Sequence, residues 1–269
     1  MNKTFNSDLC SKCGNCALNC VMGLIEMKDF PEMPGPEAFC NQCGHCEAIC
    51  PSGAINLDGL AKGDYMDNSE RTLIAPEQLG FHMKFRRSIR NYDRKPVEKE
   101  KLEEIFDMVR YAPSAGNGQP LEWTVFTDPE KIKEIAGNVV EWMRDMVNQK
   151  SPLNEMIPFS PMVEAWDNGM DPILRDAPCL VVAHAPEYNK MAVTDGVIAL
   201  THLDLALPSF GMGGCWAGLL NIACNQHHPL KEMMEIPPEN AMIYPFMIGY
   251  PKYEYQRIPG RNEPNIVWK

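Results

Sequence analysis

Eight of the eleven cysteines lie within the first 50 residues, in two copies of one pattern. The copies are Cys10-x2-Cys13-x2-Cys16-x3-Cys20 and Cys40-x2-Cys43-x2-Cys46-x3-Cys50, the second followed by Pro51. Three thiolates at this spacing share one tight loop and reach three corners of an iron–sulfur cubane, whereas the fourth tends to serve another cluster. The pattern therefore predicts one-electron transfer at two [4Fe–4S] clusters.

The repeat also predicts which thiolates share a cluster. Because the fourth cysteine of each copy crosses over, one set is Cys10, Cys13, Cys16 and Cys50, and the other is Cys40, Cys43, Cys46 and Cys20. Structural zinc and free thiols are the alternatives, but zinc would leave two thiols of each copy unused. Residues 5–57 resemble the bacterial two-cluster ferredoxins, which end at about this length.

A basic segment follows at residues 81–101, with eight basic and three acidic residues in a chain whose net charge is −11. Its run Arg86-Arg87-Ser88-Ile89-Arg90 places three guanidinium groups and a hydroxyl within five residues. Planar guanidinium groups form paired hydrogen bonds with a phosphate dianion. The segment predicts a phosphate site, and the alternative is a solvated basic surface.

Two further segments have the residue types of a cofactor site. The loop 113–120 carries the amides of Asn117 and Gln119, which can hydrogen-bond the polar edge of a heterocycle. The glycines of 211–218 allow a flat ring to approach the backbone. Neither a Rossmann nor a Walker glycine motif occurs in the sequence, so a phosphate-bearing cofactor would be held by another fold.

Together these segments resemble the FMN-dependent nitroreductase family, and with the cysteine repeat they resemble ferredoxin–nitroreductase fusions. The resemblance covers residues 81 to about 260. It rests on these motifs, in family order: Arg86-Arg87-Ser88-x-Arg90-x-Tyr92, Pro113-Ser114-x-x-Asn117-x-Gln119-Pro120, Gly213-Gly214-Cys215-Trp216-x-Gly218, Gly249-Tyr250-Pro251 and Arg257-Ile258-Pro259.

The resemblance implies an α+β fold, in which a small ferredoxin-like domain precedes a domain with a mixed sheet wrapped by helices. It also implies a homodimer with FMN at the subunit interface. Arg86, Arg87, Ser88 and Arg257 would hold the phosphate and ribityl chain, and Arg90 would approach the pyrimidine ring. Asn117 and Gln119 would meet the polar edge of the ring or the ribityl hydroxyls, and the backbone of Gly213 and Gly214 would lie near N5. Ser114 belongs to the same set of candidate FMN contacts, and the resemblance implies no dedicated catalytic acid or base.

The expected function is an electron relay from the clusters to FMN and on to an electron-poor acceptor such as a nitroaromatic, quinone or enone. One alternative is reduction of FMN by NAD(P)H, with the clusters as the electron exit. Another is a non-catalytic electron carrier. The acidic first 75 residues, with ten acidic and five basic side chains, suit docking on a basic patch of a redox partner protein, or serve only solubility. The candidate partners are a ferredoxin, NAD(P)H and the small-molecule acceptor.

The rest of the sequence predicts the elements that position these groups. We expect a ferredoxin domain at 1–60, a linker at 61–80 and an FMN-binding domain at 81–269. Apolar periodicity predicts helices at 96–111, 131–147 and 191–207, and strands at 121–127, 179–184 and 241–249. The acidic composition argues against nucleic-acid binding, and the lack of a long apolar run or a secretory h-region predicts a cytoplasmic protein without a membrane span.

Several other residues invite a chemical role. Cys215 and Cys224 are expected to be buried fillers rather than redox thiols. His184 is expected to be a hydrogen-bonded core histidine, and the pair His227-His228 is not expected to bind metal. The segment 151–166 is either a lid over the flavin or a dimer-packing segment.

Overall fold

The computed structural model describes residues 3–34, 39–57 and 72–269, in two units. The first unit comprises Met1–Leu73 together with Ser114–Gly118, and the second comprises Ile74–Pro113 and Gln119–Lys269. Most of the expected linker, residues 61–71, lies outside the described residues. Its last part is helical, because a helix begins at Pro76.

The first unit is built on the cysteine repeat. Strand β1 (Lys3–Phe5) pairs antiparallel with β4 (Ile55–Leu57), and β2 (Glu26–Met27) pairs with β3 (Pro31–Glu32). Each copy of the repeat contains one short helix, α1 (Asn15–Leu18) or α2 (His45–Ala48). The buried side chains of Cys16, Ile25 and Ile55 form its core, so a cysteine of the motif is itself part of the packing.

The second unit contains a four-stranded sheet with helices on both faces. The strands are β5 (Glu122–Phe126), β6 (Cys179–Pro186), β7 (Gly213–Trp216) and β8 (Asn240–Gly249), in the order β5-β6-β8-β7. The helices are α3 (Pro76–Phe85), α4 (Lys99–Val109), α5 (Pro129–Asn148), α6 (Leu153–Met156), α7 (Phe159–Asp167), α8 (Ala192–Ala206), α9 (Gly218–Gln226) and α10 (His228–Glu232).

Strand β6 is apolar except for His184 because both of its faces are covered. Val181 and Ala183 pack with residues of α4 and α8, whereas Leu180 and Val182 pack with residues of α5, α7 and α9. Successive side chains of a strand point to opposite faces, so a central strand between two helix layers reads as a continuous apolar run.

All six predicted helices and strands are present. Most of their observed ends lie within two residues of the predicted ends. Helix α4 buries Leu102, Ile105 and Val109, which recur at the three- and four-residue spacing of one helix face. The combination of a ferredoxin-type unit with this helix-covered sheet confirms the α+β class. One detail differs: the resemblance implied a mixed sheet, but each of the three strand pairs described in this sheet is antiparallel.

Within the described ranges, no helix combines the length and the apolar character that crossing a bilayer requires.

Candidate functional site

The backbone of the two cysteine motifs matches copy for copy. Lys12 and Gln42 both adopt left-handed conformations, with φ of 58° and 54°. Gly14 and Gly44, two residues further on, have φ of 75° and 74° and immediately precede α1 and α2. The repeat in sequence is therefore a repeat in conformation, and both loops turn in the same way around their thiols.

Backbone N–H groups donate hydrogen bonds to the cysteine sulfurs at equivalent places. The Lys12 and Gln42 nitrogens each lie 3.4 Å from Sγ of Cys10 and Cys40, respectively. In the same way, the Leu24 nitrogen lies 3.3 Å from Sγ of Cys20, and the Ala54 nitrogen lies 3.2 Å from Sγ of Cys50. N–H donors stabilise the thiolate form, which is the form that binds iron.

The fourth cysteine of each copy lies near thiols of the other copy. Cys20 lines one small cavity together with Cys40, Cys43 and Cys46, and Cys50 is close enough to Cys16 to affect its pKa. Burial raises the pKa of the Cys16 thiol, and so do the neighbouring Cys50 and Cys13 thiols. The arrangement supports the crossed ligand sets read from the spacing.

The cysteine donor set can be compared with the needs of zinc and of an iron–sulfur cluster. Among the residues described, no three His, Cys, Asp or Glu side chains converge on a position for a single metal ion. Thiolates around a cubane lie farther apart than zinc ligands because each binds a different iron, so the donor set fits iron–sulfur clusters.

The second unit contains an open cavity of about 840 Å³, which lies within the range of small-molecule sites. Three of the residues expected to bind a cofactor line it: Arg86, Arg87 and Gly213. Its other lining residues come mainly from α3, the segment after α8 and the stretch after β8. They are Glu77, Gln78, Phe81, His82, Phe85, Ile89, Asp204, Pro208, Gly211, Met212, Pro251, Tyr253, Glu254 and Tyr255. An elongated ligand with an anionic end and a flat apolar part suits this lining.

Arg86 is held by an acid that the sequence analysis did not identify. Its Nη1 donates to Oδ2 of Asp204 at 2.9 Å. Asp204 lies on α8 and is buried, and burial raises the pKa of its carboxyl, although the Arg86 charge acts in the opposite direction. An Asp within a largely apolar helix gives no sequence signal of a partner 118 residues away.

Ser88, Arg90 and Gly214 lie next to this cavity in the chain but do not line it. The Ile89 nitrogen donates to the Gly214 carbonyl at 2.9 Å, which ties the Arg-rich run to β7. Burial raises the pKa of the Cys215 thiol, whereas the charge of Arg90 and a hydrogen bond with Ser88 lower it. Arg90 itself is exposed.

The two glycines of β7 are required by packing. A Cβ atom on Gly213 would lie 2.3 Å from Cγ1 of Ile89, and one on Gly214 would lie 2.1 Å from Cε1 of Phe246. Both contacts are far below van der Waals distance. The glycines that the sequence analysis assigned to a stacked ring therefore also have a structural role.

The loop 113–120 is divided between the two units. Ser114 and Asn117 belong to the first unit, where the Asn117 amide donates to the carbonyl oxygens of Asn41 at 3.2 Å and Gln42 at 3.1 Å. Gln119 belongs to the second unit, is exposed and has φ of 44°. Arg257 lies in the exposed C-terminal stretch, two residues beyond Tyr255 of the cavity wall.

His184 is a hydrogen-bonded core residue, as expected. Its side chain is buried, with Nε2 3.1 Å from Oγ1 of Thr124 and Nδ1 2.8 Å from Nδ2 of Asn240. Cys215 and Cys224 are buried in the main core cluster, which confirms their expected role as fillers. Burial raises the pKa of the Cys224 thiol to about 12.

The segment 151–166 packs on its own unit. Phe159, at the start of α7, is fully buried and contacts Trp142 of α5 edge to face, with ring centroids 5.4 Å apart. At the end of α7, Asp167 accepts two hydrogen bonds from Arg144 of α5, at 2.8 and 3.1 Å. These contacts anchor α7 to the core and argue against a freely opening lid.

Comparisons with known proteins agree with both units. Residues 83–250, more than half of the chain, match the nitroreductase family, and residues 9–55 match the 4Fe-4S dicluster domain. Over 174 residues the chain is 28% identical to an Archaeoglobus fulgidus protein named "Putative NADH dehydrogenase/NAD(P)H nitroreductase", covering 63% of this chain and 83% of that one. Over 177 residues it is 27% identical to the FMN reductase [NAD(P)H] of Bacillus subtilis, covering 61% of this chain and 62%, less than two thirds, of the Bacillus protein.

The crystal structure of a Bacteroides fragilis nitroreductase with bound FMN has the same fold. It superposes with a TM-score of 0.58 at 20% identity, and the match covers 71% of this chain and 99% of that one. The match to the family model, the helix-covered sheet and the dicluster match in the first unit lead to one conclusion. The chain belongs to the nitroreductase family and carries a 4Fe-4S ferredoxin domain at its N-terminal end.

Proposed function

We propose that the chain is an FMN-dependent oxidoreductase that passes electrons from two [4Fe–4S] clusters to FMN and then to an electron-poor acceptor. The observation that carries the proposal is the presence in one chain of two matched cysteine loops and an arginine-lined cavity of about 840 Å³. When bound, the clusters supply one-electron transfer, and FMN converts between single electrons and hydride.

In this proposal the cysteines hold the clusters in the crossed sets. Cys10, Cys13, Cys16 and Cys50 bind one cluster, and Cys40, Cys43, Cys46 and Cys20 bind the other. The N–H groups directed at Cys10, Cys20, Cys40 and Cys50 stabilise the bound thiolates.

The flavin contacts are those that the family resemblance implies. Arg86 and Arg87 line the cavity and can bind a phosphate directly. The remaining proposed contacts are Ser88, Arg90, Ser114, Asn117, Gln119, Gly213, Gly214 and Arg257. The aromatic side chains of Phe81, Phe85, Tyr253 and Tyr255 give the cavity an apolar wall that suits a flat ring.

A homodimer in the cytoplasm belongs to the same proposal. Helix α3 has no buried residue, and its Leu79, Phe81 and Met83 are exposed. Trp268, near the C-terminus, is 88% exposed. A helix with several exposed apolar side chains and no buried one is typical of a surface that another protein chain covers. Sedimentation equilibrium of the full chain tests the dimer.

Direct reduction of FMN by NAD(P)H is the second candidate, with the clusters carrying electrons away. The observation that favours it is the name of the Bacillus subtilis relative, an FMN reductase [NAD(P)H]. A ferredoxin would be the donor in the first case and an acceptor in the second. A non-catalytic carrier would reduce none of the small-molecule acceptors.

Anaerobic purification followed by turnover assays tests the proposal. We expect about eight irons and one FMN per chain on the ligand arithmetic above. We also expect reduction of a nitroaromatic panel with reduced ferredoxin, and its loss in Cys43→Ala. Turnover with NADH that is unchanged in Cys43→Ala would contradict the relay, and colourless protein would contradict both cofactors.

A further inference from the structure

The Arg86–Asp204 pair lies in the wall of the cavity that we propose holds FMN. Both residues line that cavity, and their side chains are 26% and 9% exposed, respectively. Within the described part of the chain, the Arg86 side chain donates a hydrogen bond to Asp204 through Nη1. A guanidinium has five N–H donors, so most of them stay available to a ligand.

Net charge does not explain phosphate recognition in this cavity. Its lining contains three acidic residues (Glu77, Asp204 and Glu254) and two arginines. A phosphate dianion is therefore recognised only if a guanidinium points at it and does not instead form ion pairs with the carboxylates of Glu77 and Glu254. Directed, paired hydrogen bonds are the feature that distinguishes arginine from a simple point charge.

Asp204 is placed to fix the orientation of the Arg86 guanidinium. Its carboxylate is buried on α8, a regular helix, so its position is fixed by the core rather than by a loop. Arg86 directly follows the last residue of α3, where the chain leaves the helix, and the hydrogen bond of 2.9 Å restrains its long side chain. By contrast, Arg87 lines the same cavity without an ion pair among the described residues.

We propose that Asp204 is a positioning residue that orients Arg86 toward the phosphate of the flavin, and so makes the site selective for FMN over riboflavin. This inference rests on the proposed function. It assigns Asp204 no contact with the flavin, so its effect is confined to the part of the ligand that Arg86 binds.

Flavin titration of the full chain, with clusters intact and flavin removed, tests the inference. The probes are FMN and riboflavin, which lacks the phosphate, and the readout is quenching of flavin fluorescence under anaerobic conditions. We expect Asp204→Asn to weaken FMN binding about tenfold, the scale of one charge-assisted hydrogen bond, and to leave riboflavin binding unchanged. Asp204→Glu, which keeps the charge, should restore part of the preference.

A double-mutant cycle separates positioning from a general structural role. If Asp204 acts through Arg86, the Arg86→Gln/Asp204→Asn variant binds FMN no more weakly than Arg86→Gln alone. The matched control is Asp167→Asn, which breaks the other Asp–Arg pair, with Arg144 on α5, and should change neither affinity. If Asp204→Asn does not fold, Asp204→Glu and Arg86→Gln still report the FMN-to-riboflavin ratio.

Two results would overturn the inference: an unchanged FMN-to-riboflavin ratio in Asp204→Asn, or tighter FMN binding, which would make the carboxylate a competitor of the phosphate. If the chain does not bind flavin at all, the wild type binds neither FMN nor riboflavin, and the inference falls with the proposed cofactor. If only the proposed electron route is wrong, turnover changes but this titration does not.

Discussion

Gly214 lies against Phe246 with no room for a side chain, since a Cβ atom there would be 2.1 Å from the ring. The two residues belong to neighbouring strands, β7 and β8, and Phe246 is fully buried. Close-packed interiors do not yield to an added methyl group without displacing a neighbour. The glycine is thus a condition for pairing these strands.

We expect Gly214→Ala to destabilise the second unit by about 1–3 kcal/mol through overpacking. Chemical denaturation followed by circular dichroism measures the change. Gly80→Ala is the matched control, because a Cβ atom at Gly80, within α3, meets no atom within 4 Å. Equal stability of the two variants would show that the strand contact is not tight.

The crossed ligand sets predict a pattern of iron loss. Cys20 and Cys43 line one cavity, so Cys20→Ala/Cys43→Ala should lose about four irons, no more than either single variant. Cys20→Ala/Cys13→Ala should lose both clusters, because the two residues belong to different sets. Iron and sulfide analysis of anaerobically purified protein measures this. Loss of both clusters in the first double variant would contradict the crossing.

Replacing Phe159 tests whether α7 is part of the core. We expect Phe159→Ala to cost about 3–5 kcal/mol, since its ring is fully buried against Trp142. Met156→Ala in the same segment should change little, because Met156 is 81% exposed. If instead Phe159→Ala folds with wild-type stability and alters only which acceptors are reduced, the segment acts as a lid.

The lowered pKa of His184 predicts that the stability of the folded protein depends on pH. Burial lowers its pKa, against a smaller opposing effect of Glu122, so the folded protein binds the proton more weakly than the unfolded chain does. The stabilisation is fully present above the unfolded pKa of about 6.5 and is lost as the pH falls through the folded pKa. The melting temperature of the wild type should therefore fall more between pH 7.5 and 5.5 than that of His184→Gln.

The control for this prediction is His228→Gln, since the His228 side chain is 79% exposed. It should keep the wild-type pH dependence. An identical pH dependence in the wild type and His184→Gln would contradict the assignment.

Much of this structure is predictable because residues that are buried at regular intervals along a helix or strand are apolar in the sequence. The stripe Leu102, Ile105 and Val109 predicts the buried side of α4, and the apolar run from Cys179 predicts β6. The cysteine spacing predicts both loops of the first unit, because cysteines separated by only two residues need the tight turns seen at Gln42 and Gly44.

Other features depend on contacts between distant parts of the chain, and no local sequence pattern predicts them. Strand β7 contains two glycines, which have low strand propensity, and it forms because β8 pairs with it. Asp204 is one of two acids in the largely apolar α8, and its role depends on its ion pair with Arg86, 118 residues earlier. Asn117 matches a motif read as a flavin contact, yet its amide hydrogen-bonds the loop after Cys40.

The position of Cys20 has a consequence for how this N-terminal region can be divided. Because Cys20 lies beside Cys40, Cys43 and Cys46, a chain cut between the two copies would leave each half with one thiol directed at a missing neighbour. If the proposed ligand sets are correct, neither copy of the motif can complete a four-thiolate set by itself. A peptide carrying one copy alone would then need a second such peptide to bind a complete cluster.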